Sequence, residues 1–481
     1  MKDKTNKFYI TTPIYYVNDK PHIGHAYTTI VADVLARFYR SQIGEDNVYF
    51  LTGTDEHGAK VAEAAAKEGL DPQAFTDKVS QSFKDAWVNL DIKYDRFIRT
   101  TDKQHKEIVT NILNQLKDKG VLYEGDYSGL YCIGCEKFIL ESELVDGKCP
   151  DHNKEPEKLF EKNWFFKLSE FLPKIKQAIE SGDLVIYPET RKNEVLGLIK
   201  QGVADISISR SAKSVSWGID LPWDDSQKTY VWIDALSNYI TALGYPDGEN
   251  FKKFWPADVQ LMALDILKFH TLLWPAILMA LDLPLPKLYI HGHFTLDGKK
   301  MSKSLGNVIS PNDLVEKYGS EVAKYLILSQ FSFGSESDIK VEEFPNKYNA
   351  DLVNGLGNLV NRVTNMIEQY LDGQIDKSLF KNETIGDEEI KQLKFKEALS
   401  TIWLIIQNTN GMIEKEKPWE LAKTPAAKEE LRVILETLAA HLYKIALSLE
   451  PFMPKMSKEI IRILTEDKIK KPEQPLFPRL Q

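Results

Sequence analysis

Two short stretches of this sequence carry residue types and spacings suited to handling a polyphosphate. The first is Pro21-His22-Ile23-Gly24-His25, which lies where an apolar, aromatic run (Phe8, Tyr9, Ile10, Ile14, Tyr15, Tyr16, Val17) gives way through Asn18-Asp19-Lys20 to a helical pattern. That order reads as strand, turn and helix start. A helix N-terminus presents unpaired N–H groups and a partial positive charge, so phosphate binds there readily. Two histidines flanking a glycine let a polyphosphate approach the backbone while both rings donate to its oxygens. On its own the pattern also describes two histidines capping an ordinary surface helix. The second stretch, Lys300-Met301-Ser302-Lys303-Ser304, follows the turn Leu296-Asp297-Gly298-Lys299 and places two mobile ammonium groups on a loop of small residues. It suits a clamp on departing pyrophosphate; read alone, it is equally a solvated basic loop.

A third cluster points to a metal. The only three cysteines, Cys132, Cys135 and Cys149, lie close together, with His152 shortly after the last. A secreted disulfide framework would favour an even number spread more widely. Three soft sulfurs and an imidazole instead form a tetrahedral set for Zn²⁺, the C-x2-C pair fixing one edge and C-x2-H the other. Four protein ligands leave no open position, so the ion is expected to be structural. The plain alternative is free thiols in a loop.

These groups need a frame. After the first helix, Asn47-Val48-Tyr49-Phe50-Leu51 reads as a short buried strand ending in Thr52-Gly53-Thr54-Asp55-Glu56-His57-Gly58, and alanine-rich helical sequence follows. This is a βαβ unit with polar residues at the strand's carboxyl end, where open α/β sheets bind ligands. The pattern predicts a doubly wound α/β domain in two halves, 1–115 and 228–295, with a helix over 265–280. Residues 116–227 read as an insertion holding the zinc knuckle at about 128–157, and 296–345 as the region of the lysine loop. Beyond about 344 the strands stop. Leu352, Leu356, Leu359, Val363 and Ile367 recur at helical spacing, with similar stripes over 388–417, 426–450 and 455–466, so 346–481 is expected to be an all-α helical bundle.

Composition narrows the classes. With 61 basic and 70 acidic residues the formal charge is −9, which counts mildly against a generic nucleic-acid binder without excluding a local basic path. The longest apolar stretch, around Leu272 to Leu281, is interrupted by Pro275 and is too short to span a bilayer, and no charged-then-apolar leader opens the chain. The expectation is a soluble, cytoplasmic protein with no membrane partner.

Taken together, the His-x-Gly-His turn and the downstream Lys-Met-Ser-Lys-Ser loop resemble the two signatures of class I aminoacyl-tRNA synthetases. Further segments, Thr11 to Asn18, Thr52 to Gly58, Ile206 to Arg210, Tyr230 to Tyr239, Asp265 to Trp274 and Lys417 to Ala422, are similar to bacterial-type methionyl-tRNA synthetases. The resemblance covers nearly the whole chain. It implies a Rossmann-like catalytic domain, ATP with Mg²⁺, methionyl-adenylate formation, and transfer of the acyl group to the 3′ end of tRNA(Met). His22, His25, Lys300 and Lys303 would stabilise the polyphosphate as charge develops on it, and Gly24 and Asp265 would join them at ATP. The family's methionine pocket carries over to Pro13, Ile14, Tyr16, Asp55, Trp232, Ala235, Leu236, Tyr239, Ile266 and His270, with Arg210 orienting the substrate. In that pocket Asp55 takes the ammonium, while Tyr16 and His270 offer a weak donor to the thioether above Trp232. Asn358, Arg362, Pro418 and Trp419 match the anticodon-reading positions, where an aromatic face stacks on an unpaired base.

One segment departs from the family. Where it usually carries His-x-Ile-Gly-Lys-Asp, this chain has Gln260-Leu261-Met262-Ala263-Leu264-Asp265. Ala263 adds a methyl where backbone approaches the ATP ribose, and Leu264 removes a cation. The alternative reading is therefore a catalytically weakened or inactive tRNA-binding paralogue. Synthetases for leucine, isoleucine or valine would be much longer, and a nucleotidyltransferase of the same fold would lack the helical third. The chain ends without the appended dimerising module of some relatives, so a monomer is expected.

Overall fold

The computed structural model describes residues 6–18, 20–134, 137–139, 141–292, 294–296, 298–300 and 308–480, excepting the side chains of 127–129, 137, 138, 142, 159–161, 294, 299 and 300. The chain divides into two compact units: Met1–Pro21, Ile43–Val88 and Lys93–His291 form one, and His22–Gln42, Asn89–Ile92 and Gly292–Gln481 the other.

The chain runs as β1 (Phe8–Tyr16), α1 (Ile23–Ile43), β2 (Val48–Asp55) and β3 (Arg96–Arg99), then α2 (Lys103–Asp118), β4 (Ile186–Tyr187), α3 (Val231–Thr241), β5 (Val259–Ala263) and β6 (Leu288–His291). In the first unit the six strands make one sheet in the order β3-β2-β1-β5-β6-β4. Every pairing is parallel. Strand order reverses on either side of β1, the switch point at which doubly wound sheets place ligands beyond their carboxyl ends. The sequence accounts for this: the strands are runs of aromatic and β-branched residues with Tyr9, Ile10, Phe50, Leu51, Leu261 and Ile290 essentially fully buried, as a sheet covered on both faces requires. The β1–β2 register shifts between Thr11 and Ile14, at Pro13, which has no N–H to give the ladder.

Two antiparallel sheets lie between Leu122 and Thr229. One orders the strands Lys137–Ile139, Leu122–Cys132, Glu157–Phe166 and Ile206–Ser207; the other has three strands, with Asp224–Thr229 between Asp220–Leu221 and Ser209–Ser211. Two expectations change in detail. The strand read as 47–51 runs on through Asp55, so Thr52 to Asp55 of the polar segment belong to β2 and Glu56, His57 and Gly58 follow it. The single helix expected over 265–280 is broken into a 3₁₀ turn Leu264–Ile266, a π-helical turn Phe269–Leu273 and the α-helix Trp274–Ala280. Pro275 has no N–H for the Thr271 carbonyl and its ring crowds the preceding turn, and a widened turn relieves both.

In the second unit α1 is followed by α4 (Ser320–Leu328), a π-helical stretch Tyr348–Gly357 that continues as α5 (Asn358–Leu371), then α6 (Phe395–Glu416), α7 (Lys428–Leu449) and α8 (Pro454–Thr465). Among the described residues no strand occurs after Ile339, and the stripe residues Leu352, Leu356, Leu359, Val363 and Ile367 are all fully buried, as the expected bundle demands.

Candidate active site

In the first unit, α3 turns Trp232, Ala235, Leu236 and Tyr239 to one side, as positions three and four apart in a helix must be. The Tyr9 hydroxyl, from the start of β1, donates to the Tyr239 carbonyl at 2.8 Å and ties the helix to the sheet. Facing α3, the turn after β5 brings His270, whose Nδ1 lies 3.0 Å from the Ile266 carbonyl and whose Nε2 lies 2.8 Å from the Tyr239 hydroxyl. A carbonyl only accepts, so Nδ1 carries the proton and Nε2 accepts from the tyrosine. Burial pushes the His270 imidazole down to about 4 despite the bond to Ile266, so it is neutral at physiological pH. Burial likewise pushes the Tyr239 hydroxyl up, with the Asp55 charge adding to the rise. Trp232 stacks on Phe269 with ring centres 4.1 Å apart and meets His270 edge-on at 6.0 Å. Tyr16 stands opposite Asp55 in the β1–β2 register, and Ile14 and Ile266 pack against the same core. Pro13 is buried in β1. Both His270 nitrogens are thus committed within the protein.

The segment after Asp55 is held from several sides. Arg99 on β3 grips Glu56 with two bonds of 2.7 and 2.8 Å, Thr54 donates to the same carboxylate at 2.7 Å, and the Trp217 indole donates to the Glu56 carbonyl at 2.6 Å. Gly53 is obligatory: a Cβ there would fall 2.1 Å from the Ile98 carbonyl oxygen. Arg210 is buried, bonded through Nη1 to the Ser209 carbonyl at 2.7 Å and the Ser207 hydroxyl at 2.9 Å, with its guanidinium 4.1 Å from the Tyr230 ring centre. It lines a cavity with His57, Gly58 and Trp217. At the end of β5, Ala263 is half-buried and Asp265 and Lys268 are exposed. Glu56, Arg99, Asp234, His57 and His105 were not singled out from the sequence; the polar run at the end of β2 was the available signal for the first and fourth.

At the knuckle, the Cys132 and Cys149 sulfurs lie 4.0 and 3.8 Å from His152 Nδ1. Zinc–sulfur and zinc–nitrogen bonds of ordinary length at a tetrahedral angle separate such donors by about 3.6 Å, so the described part of the set fits the ion. Gly134 makes room for it, since a Cβ there would fall 2.5 Å from the His152 ring. Cys135 lies outside the described residues.

In the second unit, His22 and His25 stack at the start of α1 with ring centres 3.7 Å apart. The Gly24 N–H donates to His22 Nδ1 at 3.1 Å and the His22 N–H to His25 Nδ1 at 3.4 Å. With both Nδ1 atoms accepting, each neutral ring carries its proton on Nε2 and presents a donor. Burial lowers both imidazoles, His25 further through the neighbouring His22. The Ile23 N–H bonds the Ile309 carbonyl at 3.0 Å, so the chain leaving the lysine loop is anchored to the His-x-Gly-His turn. The loop's other end is a hairpin in which Thr295 pairs with Lys300, its turn held by the Asp338 carboxylate accepting from Gly298 N–H at 2.8 Å. Lys303 and the Lys300 side chain lie outside the described residues.

In the bundle, Asn358 is exposed at the first turn of α5 and lines a groove with Asn354, Asn361 and Arg479. Arg362 pairs with Glu414 at 2.7 Å, near the end of α6. Lys417 then takes a left-handed conformation (φ 46°), and Pro418, buried, and Trp419, half-buried, begin the next short helix.

Comparison with known proteins gives one consistent result. The family described as tRNA synthetases class I (M) matches over residues 8–159 and 141–364. A methionine–tRNA ligase from Caldanaerobacter subterraneus is 46% identical over 478 residues, spanning 96% of this chain and 74% of that protein. One from Bacillus subtilis is 40% identical over the whole of this chain and 79% of its own length. The Mycobacterium tuberculosis methionyl-tRNA synthetase in complex with methionyl-adenylate superposes with a TM-score of 0.91 at 34% identity, covering 98% of this chain and 100% of the other.

Proposed function

The chain belongs to the class I methionyl-tRNA synthetases, and from that membership we propose how its residues divide the work. It is a methionine–tRNA ligase that binds ATP, methionine and tRNA. A methionine carboxylate oxygen attacks the α-phosphorus of ATP, the bond to the β-phosphate breaks, and pyrophosphate leaves; a hydroxyl of the tRNA's terminal adenosine then takes the acyl group and AMP departs.

In our reading the substrate ammonium pairs with Asp55 and the side chain enters the slot of Pro13, Ile14, Tyr16, Trp232, Ala235, Leu236, Tyr239, Ile266 and His270. The observation that carries this is the neutral Tyr239–His270 pair beside the stacked Trp232 and Phe269 rings, with Asp55 opposite Tyr16 in the β1–β2 register. Such a lining accepts a polarizable thioether without placing an unpaired charge against it. Arg210 orients the substrate. His22 and His25, with Gly24 between them, donate Nε2–H to polyphosphate oxygens, and Lys300 and Lys303 clamp the pyrophosphate as it departs. Those interactions strengthen as charge moves onto the leaving group, which is where they accelerate the reaction. Asp265 serves the ATP ribose. Mg²⁺, when bound with ATP, neutralises phosphate charge. Cys132, Cys135, Cys149 and His152 hold a structural zinc. Asn358, Arg362, Pro418 and Trp419 read the anticodon of tRNA(Met), and the enzyme acts as a cytoplasmic monomer. Among the described residues no helix is long and apolar enough to cross a membrane.

The test is methionine-dependent exchange of labelled pyrophosphate into ATP. The parent chain exchanges, and Asp55→Asn raises the methionine KM by about a hundredfold or more, as loss of a charge partner for the ammonium requires. Restoring Gly and Lys through Ala263→Gly with Leu264→Lys lowers the ATP KM and leaves the methionine KM unchanged. A parent chain silent in exchange while that double variant is active would revive the weakened-paralogue alternative.

A further inference from the structure

Asp234 lies on the face of α3 turned away from Trp232, Ala235, Leu236 and Tyr239, because two residues advance a helix by more than half a turn. It is 1% exposed. One carboxylate oxygen is 2.6 Å from His57 Nδ1 and the other 2.7 Å from His105 Nε2, whose Nδ1 in turn is 2.7 Å from the Thr241 hydroxyl. Both rings are buried. The three partners come from three elements: the segment leaving β2, the first turn of α2, and α3 itself. Burial alone would raise the Asp234 carboxyl, but the His57 charge and the hydrogen bonds of His105 and His57 hold it at about 2. It is therefore a carboxylate that accepts one N–H from each imidazole.

A buried ionic cluster of this kind is a poor source of stability, since well-packed apolar residues of equal volume often do as well or better. What it supplies is a fixed geometry. His57 is two positions from Asp55, and Asp234 is two from Trp232 and adjacent to Ala235. We propose that Asp234, bridged to His57 and His105, is a positioning residue for the amino-acid substrate: it fixes the spacing between the Asp55 carboxylate and the α3 wall of the slot. That spacing sets both methionine affinity and discrimination by side-chain length, although Asp234 itself faces away from the slot. The inference rests on the assignment of Asp55 and α3 to methionine.

The test uses the full chain and pyrophosphate exchange with methionine and with ethionine, its one-carbon-longer analogue. Asp234→Asn and His57→Ala raise the methionine KM by about tenfold while the ATP KM stays within about twofold, and the methionine-to-ethionine preference falls at least about threefold. His57→Asn, whose amide N–H stands where Nδ1–H stood, returns the methionine KM to within about threefold of the parent. A merely structural role predicts instead a lower melting temperature, equal rises in both KM values or a fall in kcat alone, and no rescue by His57→Asn; any of those kinetic results overturns the proposal. Should Asp234→Asn not accumulate as folded protein, the Ala and Asn variants at His57 decide by themselves. An Asp55→Asn variant with an unaltered methionine KM would remove the assignment beneath the inference, a failure separate from that of the network.

Discussion

His270 shows how a single side chain acquires its role from its surroundings. Its neutral form is enforced by burial, its tautomer by the Ile266 carbonyl, and its remaining lone pair is occupied by Tyr239. The imidazole titrates at about 4 in the fold and near 6.5 when unfolded, so between those values the unfolded chain binds a proton that the folded chain refuses. Stability is therefore complete above about pH 6.5 and is lost as pH falls toward 4, by roughly 3 kcal/mol for this group alone. His22 and His25, also lowered by burial, act in the same sense. Urea midpoints measured at pH 7, 5.5 and 4.5 should fall in that order, and His270→Phe should flatten the slope. The residues with a chemical signature were legible in the sequence: His22, His25, Asp55 and the cysteines sit in short local patterns. The groups that hold them were not. Glu56 meets Arg99 from 43 positions away and His57 meets Asp234 from 177, and no periodicity marks a contact of that kind.

Elements place those residues through backbone constraints that side-chain patterns report only in part. Strand and helix type were legible wherever apolar residues recurred with one period, as in β2 or α5. The region after β5 was not, because its apolar residues keep helical spacing while Pro275 denies the backbone a regular helix. The resulting π-helical turn is the one that carries His270, so the irregularity and the site coincide. Gly53 is the corresponding constraint in the sheet. Gly53→Ala forces β2 and β3 apart at the Ile98 carbonyl, two residues before Asp55, and a clash with backbone has no flexible side chain to yield. The expected loss is about 3 kcal/mol or more of stability, and a raised methionine KM in whatever folded enzyme remains. Equilibrium denaturation together with exchange kinetics on the same preparation measures both.

At the scale of the whole molecule, sequence order and compactness disagree about where α1 belongs. Read along the chain it is the first helix of an α/β domain, yet it clusters with the helical unit formed chiefly by residues beyond His291. Within that unit a buried ionic network holds it. Asp33, in the middle of α1, lies 3.1 Å from Lys324 of α4, both side chains fully buried, and Arg37 bonds the same carboxylate at 2.9 Å. Glu321, one turn before Lys324, accepts from the Lys455 and Met456 N–H groups at the start of α8. Such pairs add little net stability when intact and cost about 3–5 kcal/mol when one partner is removed. The two removals are not equivalent. Lys324→Met leaves Asp33 with Arg37, whereas Asp33→Leu leaves the Lys324 ammonium, among the described residues, with only the Asp91 carbonyl at 3.4 Å, so the aspartate variant should be the less stable. The double variant Asp33→Leu with Lys324→Met should recover most of the loss, because no uncompensated lysine remains. Since α1 begins at the His22–Gly24–His25 turn, the single variants should also slow pyrophosphate exchange in kcat while sparing the methionine KM. A double variant no more stable than Asp33→Leu alone would mean that Lys324 contributes to the fold through packing rather than through its charge.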